Sequence, residues 1–253
     1  MNLKTSLVSI LHPTQPERAQ PQAPMTLPDG KWIELDYPRR IPPLHRRELR
    51  LWQRGFLTLI RVLAGETYDY TCFRVTARLG KVMPLHTLFF TQLLQHGRIP
   101  GADSERIVIR VAWRAGCQYE YAHHTRMALA LGVSKSEIET LTHDTDDTWS
   151  PRIRAFMTAV DELISTRNLS PVTFEELSRH LDQDQILEFA TLVGHYVMAT
   201  MMLSVAGCPI EPAFQLDQPT ATSTRATSWS TAPASRSSPT SASPCASAPT
   251  TTA

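Results

Sequence analysis

Three side chains able to move protons or form covalent bonds recur at close spacing: Cys117, Glu120 and His124. At about 100° per residue they fall within a narrow sector of one helical face, so a thiol, a carboxylate and an imidazole project together. A cysteine in a helix's first turn sits where unpaired N–H groups and the helix dipole favour an anion, so Cys117 is expected to be more acidic than a free thiol. Glu120 and His124, four residues apart, can hydrogen-bond, which fixes the imidazole tautomer and raises its basicity. Glu105 lies one helix earlier, and a reversal at Gly116 would fold it back against this face. Two carboxylates beside one imidazole in a partly apolar pocket titrate apart, leaving one as a base and another as a proton donor near neutral pH. Decarboxylation, lactone opening and enolisation need that kind of donor and no metal. On spacing alone a blander reading competes: a solvated Glu–His pair worth roughly 0.2–0.5 kcal/mol, next to a thiol that only packs.

Other residues are read around this centre. Arg110 and Arg114 read as ordinary surface residues, from the general exposure of charged side chains. His123 points away from the stripe and reads as surface. His195 and Tyr196, flanked by Leu192, Val193, Val197 and Met198, read as core residues with one satisfied polar tip each; Tyr196 lines the pocket if its helix packs on the Cys117 face. Met198, Met201 and Met202 read as packing or subunit interface, and Trp113 as core. The chain shows no Gly-rich phosphate loop, metal-ligand cluster or serine-nucleophile motif.

The elements that must hold these groups are helices. Leu44–Leu63 and Leu85–Gln95 place apolar residues at three- and four-residue steps, the second between Pro84 and Gly97. Asp103 is a candidate cap for a helix to about Ala115, broken by Gly116; the next runs from Cys117 to Leu131 and stops at Gly132. Ser134 with Glu137 is a capping box, Ser150-Pro151 and Ser170-Pro171 open two further helices, and Asp182 with Gln185 starts the longest apolar one, ending at Gly207. No segment sustains a two-residue alternation, so an all-α bundle follows.

Three segments emerge from composition: a Pro-rich flexible extension over 1–40, a helical domain over 41–217, and a Ser/Thr/Ala/Pro-rich tail over 218–253 expected to be disordered. A hairpin is possible at Leu27–Leu35, Met25 is an alternative start, and the abrupt onset of the tail is consistent with a reading-frame artefact. A net charge of +1 provides no long-range field for nucleic acid or anionic lipid, which favours a small-molecule or protein partner. Cys72, Cys117, Cys208 and Cys245 lack disulfide-framework or zinc spacing and read as reduced intracellular thiols. No signal peptide is read at the start, and Ile186–Cys208, the nearest approach to a membrane span, is interrupted by Glu188, His195 and Tyr196. A cytoplasmic location without membrane contact is expected.

The register Glu105, eleven residues, Cys117, two residues, Glu120, three residues, His124 resembles the signature of the alkylhydroperoxidase D (AhpD) family, which has a second cysteine where this chain has Glu120. Arg110-Val-Ala-Trp113 and Tyr119-Glu120-Tyr121 ahead of His124 look like the broader carboxymuconolactone decarboxylase-like branch. The likeness covers roughly residues 80–205. It implies an AhpD-like bundle built around a helical hairpin and assembled as a homo-oligomer, a trimer or hexamer, with no cofactor and no metal. It also implies Glu105, Cys117, Glu120 and His124 as catalytic residues, with Tyr121, Tyr196 and Arg110 contacting substrate and Arg110 or Arg114 as candidate anchors for a substrate carboxylate. Three functions follow. The first is acid–base chemistry by Glu105, Glu120 and His124 on a small carboxylated or lactone substrate. The second is an AhpD-type peroxidase using Cys117, whose resolving thiol would have to come from Cys72, Cys208, another subunit or a small thiol, since a carboxylate cannot form the family's disulfide. The third is a non-catalytic oligomeric binding module.

Overall fold

The structure, a computed structural model, describes residues 25, 27–30, 32–33, 40–64, 67–214 and 216. All of these belong to the compact unit 1–219; the second unit, 220–253, lies outside the described residues, and with it the expectations for most of the tail. Among the described residues there are nine α-helices and no strand: α1 (Leu51–Leu63), α2 (Thr71–Thr76), α3 (Val82–His96), α4 (Gly101–Arg114), α5 (Gln118–Ala130), α6 (Lys135–Thr140), α7 (Pro151–Thr166), α8 (Pro171–Ser178) and α9 (Gln183–Ala206). Short 3-10 turns occur at Ala77–Leu79 and Pro212–Phe214.

The local signals act where the sequence places them. Ser134 Oγ accepts the Glu137 N–H at 3.1 Å, and Ser150 and Ser170 cap α7 and α8 in the same way ahead of their prolines. Asp182 and Gln185 bond reciprocally at 2.8 and 3.0 Å to open α9. Three boundaries differ from expectation. Residues 44–50 stay outside α1, which begins where the Arg50 N–H meets Gln53 Oε1 at 2.9 Å. Asp103 is not a cap: α4 begins after Pro100, and Asp103 in its first turn binds Arg106 and Arg152 instead. Cys117 is the residue before α5 and not part of its first turn.

α4 sits at the centre. Ile107, Val108, Ile109, Val111 and Ala112 are all fully buried, Glu105 and Arg110 are buried beside them with polar partners, and α5, α7 and α9 pack on it. α9 is long and apolar enough to cross a membrane, with a mean hydropathy of 1.5, but its Phe189, Leu192, Val193 and Tyr196 face the core, so it reads as the inner helix of the bundle.

The segment before α1 is partly built into this core. Met25 and Leu27 are buried, Trp32 packs edge-on against Trp113 and Tyr121, and the Ile33 N–H donates to Gly116 O at 2.9 Å. The stretch expected to be a flexible extension therefore docks, in its described part, on the turn between α4 and α5. The hairpin expected over 27–35 falls partly outside the described residues, as do residues 1–24.

Candidate active site

The α4–α5 reversal is made by one glycine. Gly116 has φ 64°, a left-handed conformation that costs any residue with a Cβ about 1–2 kcal/mol. Around it the Cys117 N–H bonds Ala112 O at 2.9 Å and the Gly116 N–H bonds Trp113 O at 3.0 Å, a Schellman motif that satisfies the last carbonyls of α4. The turn sends α5 back along α4 and sets His124 opposite Glu105.

The two meet closely. His124 Nδ1 lies 2.6 Å from Glu105 Oε2, and His124 Nε2 lies 3.1 Å from Glu120 Oε2, one turn earlier on α5. All three side chains are buried, and Tyr196 of α9 packs edge-on against the imidazole at 4.9 Å. Burial by itself pulls the His124 pKa down; the charge and hydrogen bond of Glu105, reinforced by Glu120, overturn that and raise it to about 10. At neutral pH His124 is an imidazolium held between two carboxylates.

A cavity of about 140 Å³ opens on this group, with Glu120, His124 and Tyr196 in its wall. The rest is largely aromatic and aliphatic, including Tyr70, Phe73, Phe90 and Leu203, and no lysine or arginine is among the described residues that line it. Among the described residues no group of three or more His, Cys, Asp or Glu is arranged to hold a metal ion.

Cys117 departs from expectation. It is buried and lines a separate, larger cavity of about 430 Å³ that contains neither Glu120 nor His124. Its thiol is not acidified. Burial first, and then the nearby charge of Glu120, push its pKa up to about 12, against the weaker pull of the Glu120 and Tyr119 N–H groups and the Ser204 hydroxyl.

Two of the three residues expected to contact substrate lie away from this cavity. Arg110 is fully buried, neither a surface residue nor a wall of the cavity: it bonds Asp161 at 2.9 and 2.6 Å and the Leu141 and His143 carbonyls at 2.7 and 2.5 Å. Arg114 shares Asp161 and adds Asp144, so both candidate carboxylate anchors are already occupied. Tyr121, fully buried on the opposite side of α5, packs on Trp32 and does not reach the cavity. Tyr196 does line it.

Other residues at the cavity went unrecognised in the sequence. His123, read there as surface, is stacked between Tyr119 and Phe214 with centroids at 4.3 and 3.9 Å, and its Nε2 lies 2.7 Å from Glu211 Oε2. Glu211 also accepts the Thr71 N–H and the Tyr119 hydroxyl; burial would raise its carboxyl, but His123, with the Thr71 and Glu211 N–H groups, lowers it to about 2. Cys72, whose thiol is driven well up by burial, joins the wall from α2, and His86 from α3 and His195 from α9 complete it. Their one sequence signal was a histidine inside each of two apolar helices.

A helical hairpin that traps a histidine between two acids defines the class: an all-α, AhpD-like bundle. Residues 81–162, from the start of α3 into α7, match the model of the carboxymuconolactone decarboxylase family and include Glu105, Cys117, Glu120 and His124. The fold is similar to that of an uncharacterized peroxidase-related protein from Silicibacter sp. TM1040, at 15% identity and a TM-score of 0.59 over 78% of this chain and 97% of that one. A similar likeness links it to the alkylhydroperoxidase AhpD core protein from Ralstonia eutropha JMP134, at 16% identity and a TM-score of 0.60 over 70% and 95% of the two chains. The debrominase Bmp8 in complex with 2,3,4-tribromopyrrole is similar at 18% identity, with a TM-score of 0.57 over 69% and 92%. No curated protein matches the sequence significantly.

Proposed function

We propose that the protein is an acid–base enzyme acting on a small, uncharged ring compound. Glu120 is the base at the cavity wall, His124 the imidazolium that supports it, and Glu105 the positioning acid behind the imidazole. The observation that carries this reading is the file Glu105–His124–Glu120, in which both imidazole nitrogens are engaged and the last member borders a cavity. In the simplest reaction Glu120 takes a proton from a ring C–H beside a carbonyl. The C–H electron pair moves onto the carbonyl oxygen as an enolate, and the proton returns to the same or a conjugated carbon. A histidine that stays protonated at neutral pH favours build-up of that negative charge.

Substrate size and charge follow from the wall. A cavity of about 140 Å³ is close to the roughly 150 Å³ apolar cavity known to accommodate benzene. With no lysine or arginine among the described wall residues, and the cationic His124 already held between Glu105 and Glu120, the lactone half of the sequence-based expectation is favoured over a free carboxylate. A five-membered ring of the kind held by the debrominase has suitable dimensions. A peroxidase cycle on Cys117 is disfavoured, because that thiol is buried, strongly protonated and faces the other cavity.

The test is proton exchange. In D2O, butenolides and small enolisable cyclic ketones should incorporate deuterium, followed by NMR, at least about tenfold faster with the protein than without it. Glu120→Gln and His124→Gln should remove that acceleration while far-UV circular dichroism is unchanged. Exchange on none of these compounds, or undiminished exchange in Glu120→Gln, refutes the assignment.

A further inference from the structure

The cavity has a second polar end that the proton-transfer chemistry leaves unused. His86 of α3 and His195 of α9 stack there with centroids 5.0 Å apart and ring planes at 30°. Phe89, Phe90 and Tyr196 frame the pair. His195 is only 5% exposed. Yet His195 Nδ1 and His86 Nε2 are both buried without a hydrogen-bond partner. Buried polar atoms are nearly always satisfied in native proteins, and two unsatisfied nitrogens on touching rings in one cavity wall call for a ligand that satisfies them. Among the described residues these two nitrogens therefore take no part in the fold's hydrogen bonds.

We propose that His86 and His195 form the recognition end of the cavity, hydrogen-bonding a hydroxyl, carbonyl or ring N–H of the substrate so that its opposite edge meets Glu120. This rests on reading that cavity as the substrate site. The protonation of the pair sets the ligand's class. Burial pushes both imidazoles down, His195 to about 4 with further pressure from His86 and His124, while the Glu120 charge opposes the shift in each. At neutral pH each ring then offers one donor and one acceptor and no charge, which suits a neutral hydrogen-bonding monocycle and provides no attraction for an anion.

Phenol and toluene test this, being rings of similar size that differ by a hydroxyl in place of a methyl. By titration calorimetry, wild type should bind phenol about tenfold more tightly than toluene. His195→Phe and His86→Phe should erase the preference. His195→Asn and His86→Gln, which return a polar atom near the position of the free nitrogen, should retain part of it. Glu120→Gln should keep the preference intact even though it loses proton exchange, so failure of recognition and failure of the acid–base reading separate. In wild type, where folding is not in question, long-range 1H–15N spectra should show His195 Nδ1 shifting with phenol and not with toluene. The proposal is overturned if neither probe binds, if the preference survives both phenylalanine variants, if it disappears in Glu120→Gln, or if His195 Nδ1 does not respond.

Discussion

Replacing Glu105 by Gln removes the charge and keeps the shape, which makes it the cleanest probe of the buried file. The pKa of His124 is raised from 6.5 to about 10 in the folded state, so between those values the native protein holds a proton that the unfolded chain has released. Stability from this group is fully present below pH 6.5 and is lost as pH rises towards 10. At about 1.4 kcal/mol per pH unit for one proton, this amounts to roughly 2–3 kcal/mol between pH 7 and pH 9. In Glu105→Gln the largest upward influence on His124 is gone and burial pulls against Glu120 alone, so the slope should fall by about half or more. Taking one partner from a buried ion pair costs about 3–5 kcal/mol. The deficit of the variant should therefore be of that size at pH 6 and shrink towards pH 9 as the wild type loses its own advantage. Urea unfolding at pH 6, 7, 8 and 9 provides the comparison. The thiols, whose folded pKa values are raised, add a slope of the same sign to both proteins and cancel in the difference. His86 and His195, shifted down, complete their opposite contribution below pH 7. Parallel stability curves for the two proteins, or an NMR titration placing the wild-type imidazole near 6.5, would refute the reasoning.

The inert character of Cys117 leads to a second expectation: Cys117→Ala should keep exchange activity within about twofold, and peroxide followed by mass spectrometry should find no sulfenate there. Stoichiometric oxidation at Cys117 together with loss of activity in the alanine variant would restore the peroxidase reading. Arg110→Met should cost about 3–5 kcal/mol in urea unfolding, because it strands the Leu141 and His143 carbonyls and half of Asp161's pairing. A loss below 1 kcal/mol would mean the buried guanidinium is not structural. The fourth expectation concerns assembly. Leu85, Leu88 and Phe89 on α3 and Met198, Met201 and Val205 on α9 are exposed on two helices that contact one another. An apolar face of this kind fits a second copy of the chain. Light scattering should report a homo-oligomer that Leu85→Glu shifts towards monomer, and a monomeric wild type would remove the idea.

What could be read from the sequence was whatever acts over one or two turns of chain. Ser134, Ser150, Ser170, Asp182, Gly132 and Gly207 fix helix ends by bonds to neighbours three to five residues away, and all of them sit at observed boundaries. Glu120 and His124 on one face needed only the helical period, and bringing Glu105 to them needed only a tight reversal at Gly116. Positions decided by packing across the bundle were not legible. Cys117 lies 60° from the Glu120 direction on an ideal helix, which did not reveal that it precedes the helix and turns towards Ser204 and Cys208 in another cavity. Arg110 resembled an anchor because composition makes an arginine a surface residue by default; Asp161, 51 positions away, makes it internal. Tyr121 and His123 departed from their expected environments for the same reason, since the docking of Trp32 covers the one and that of Phe214 covers the other. His86 and His195 lie farther apart still, and nothing along the chain marks them as neighbours. The Glu105–His124–Glu120 file is thus a local design set on one hairpin, whereas the wall opposite it, where the proposed substrate recognition would take place, is assembled from α2, α3 and α9.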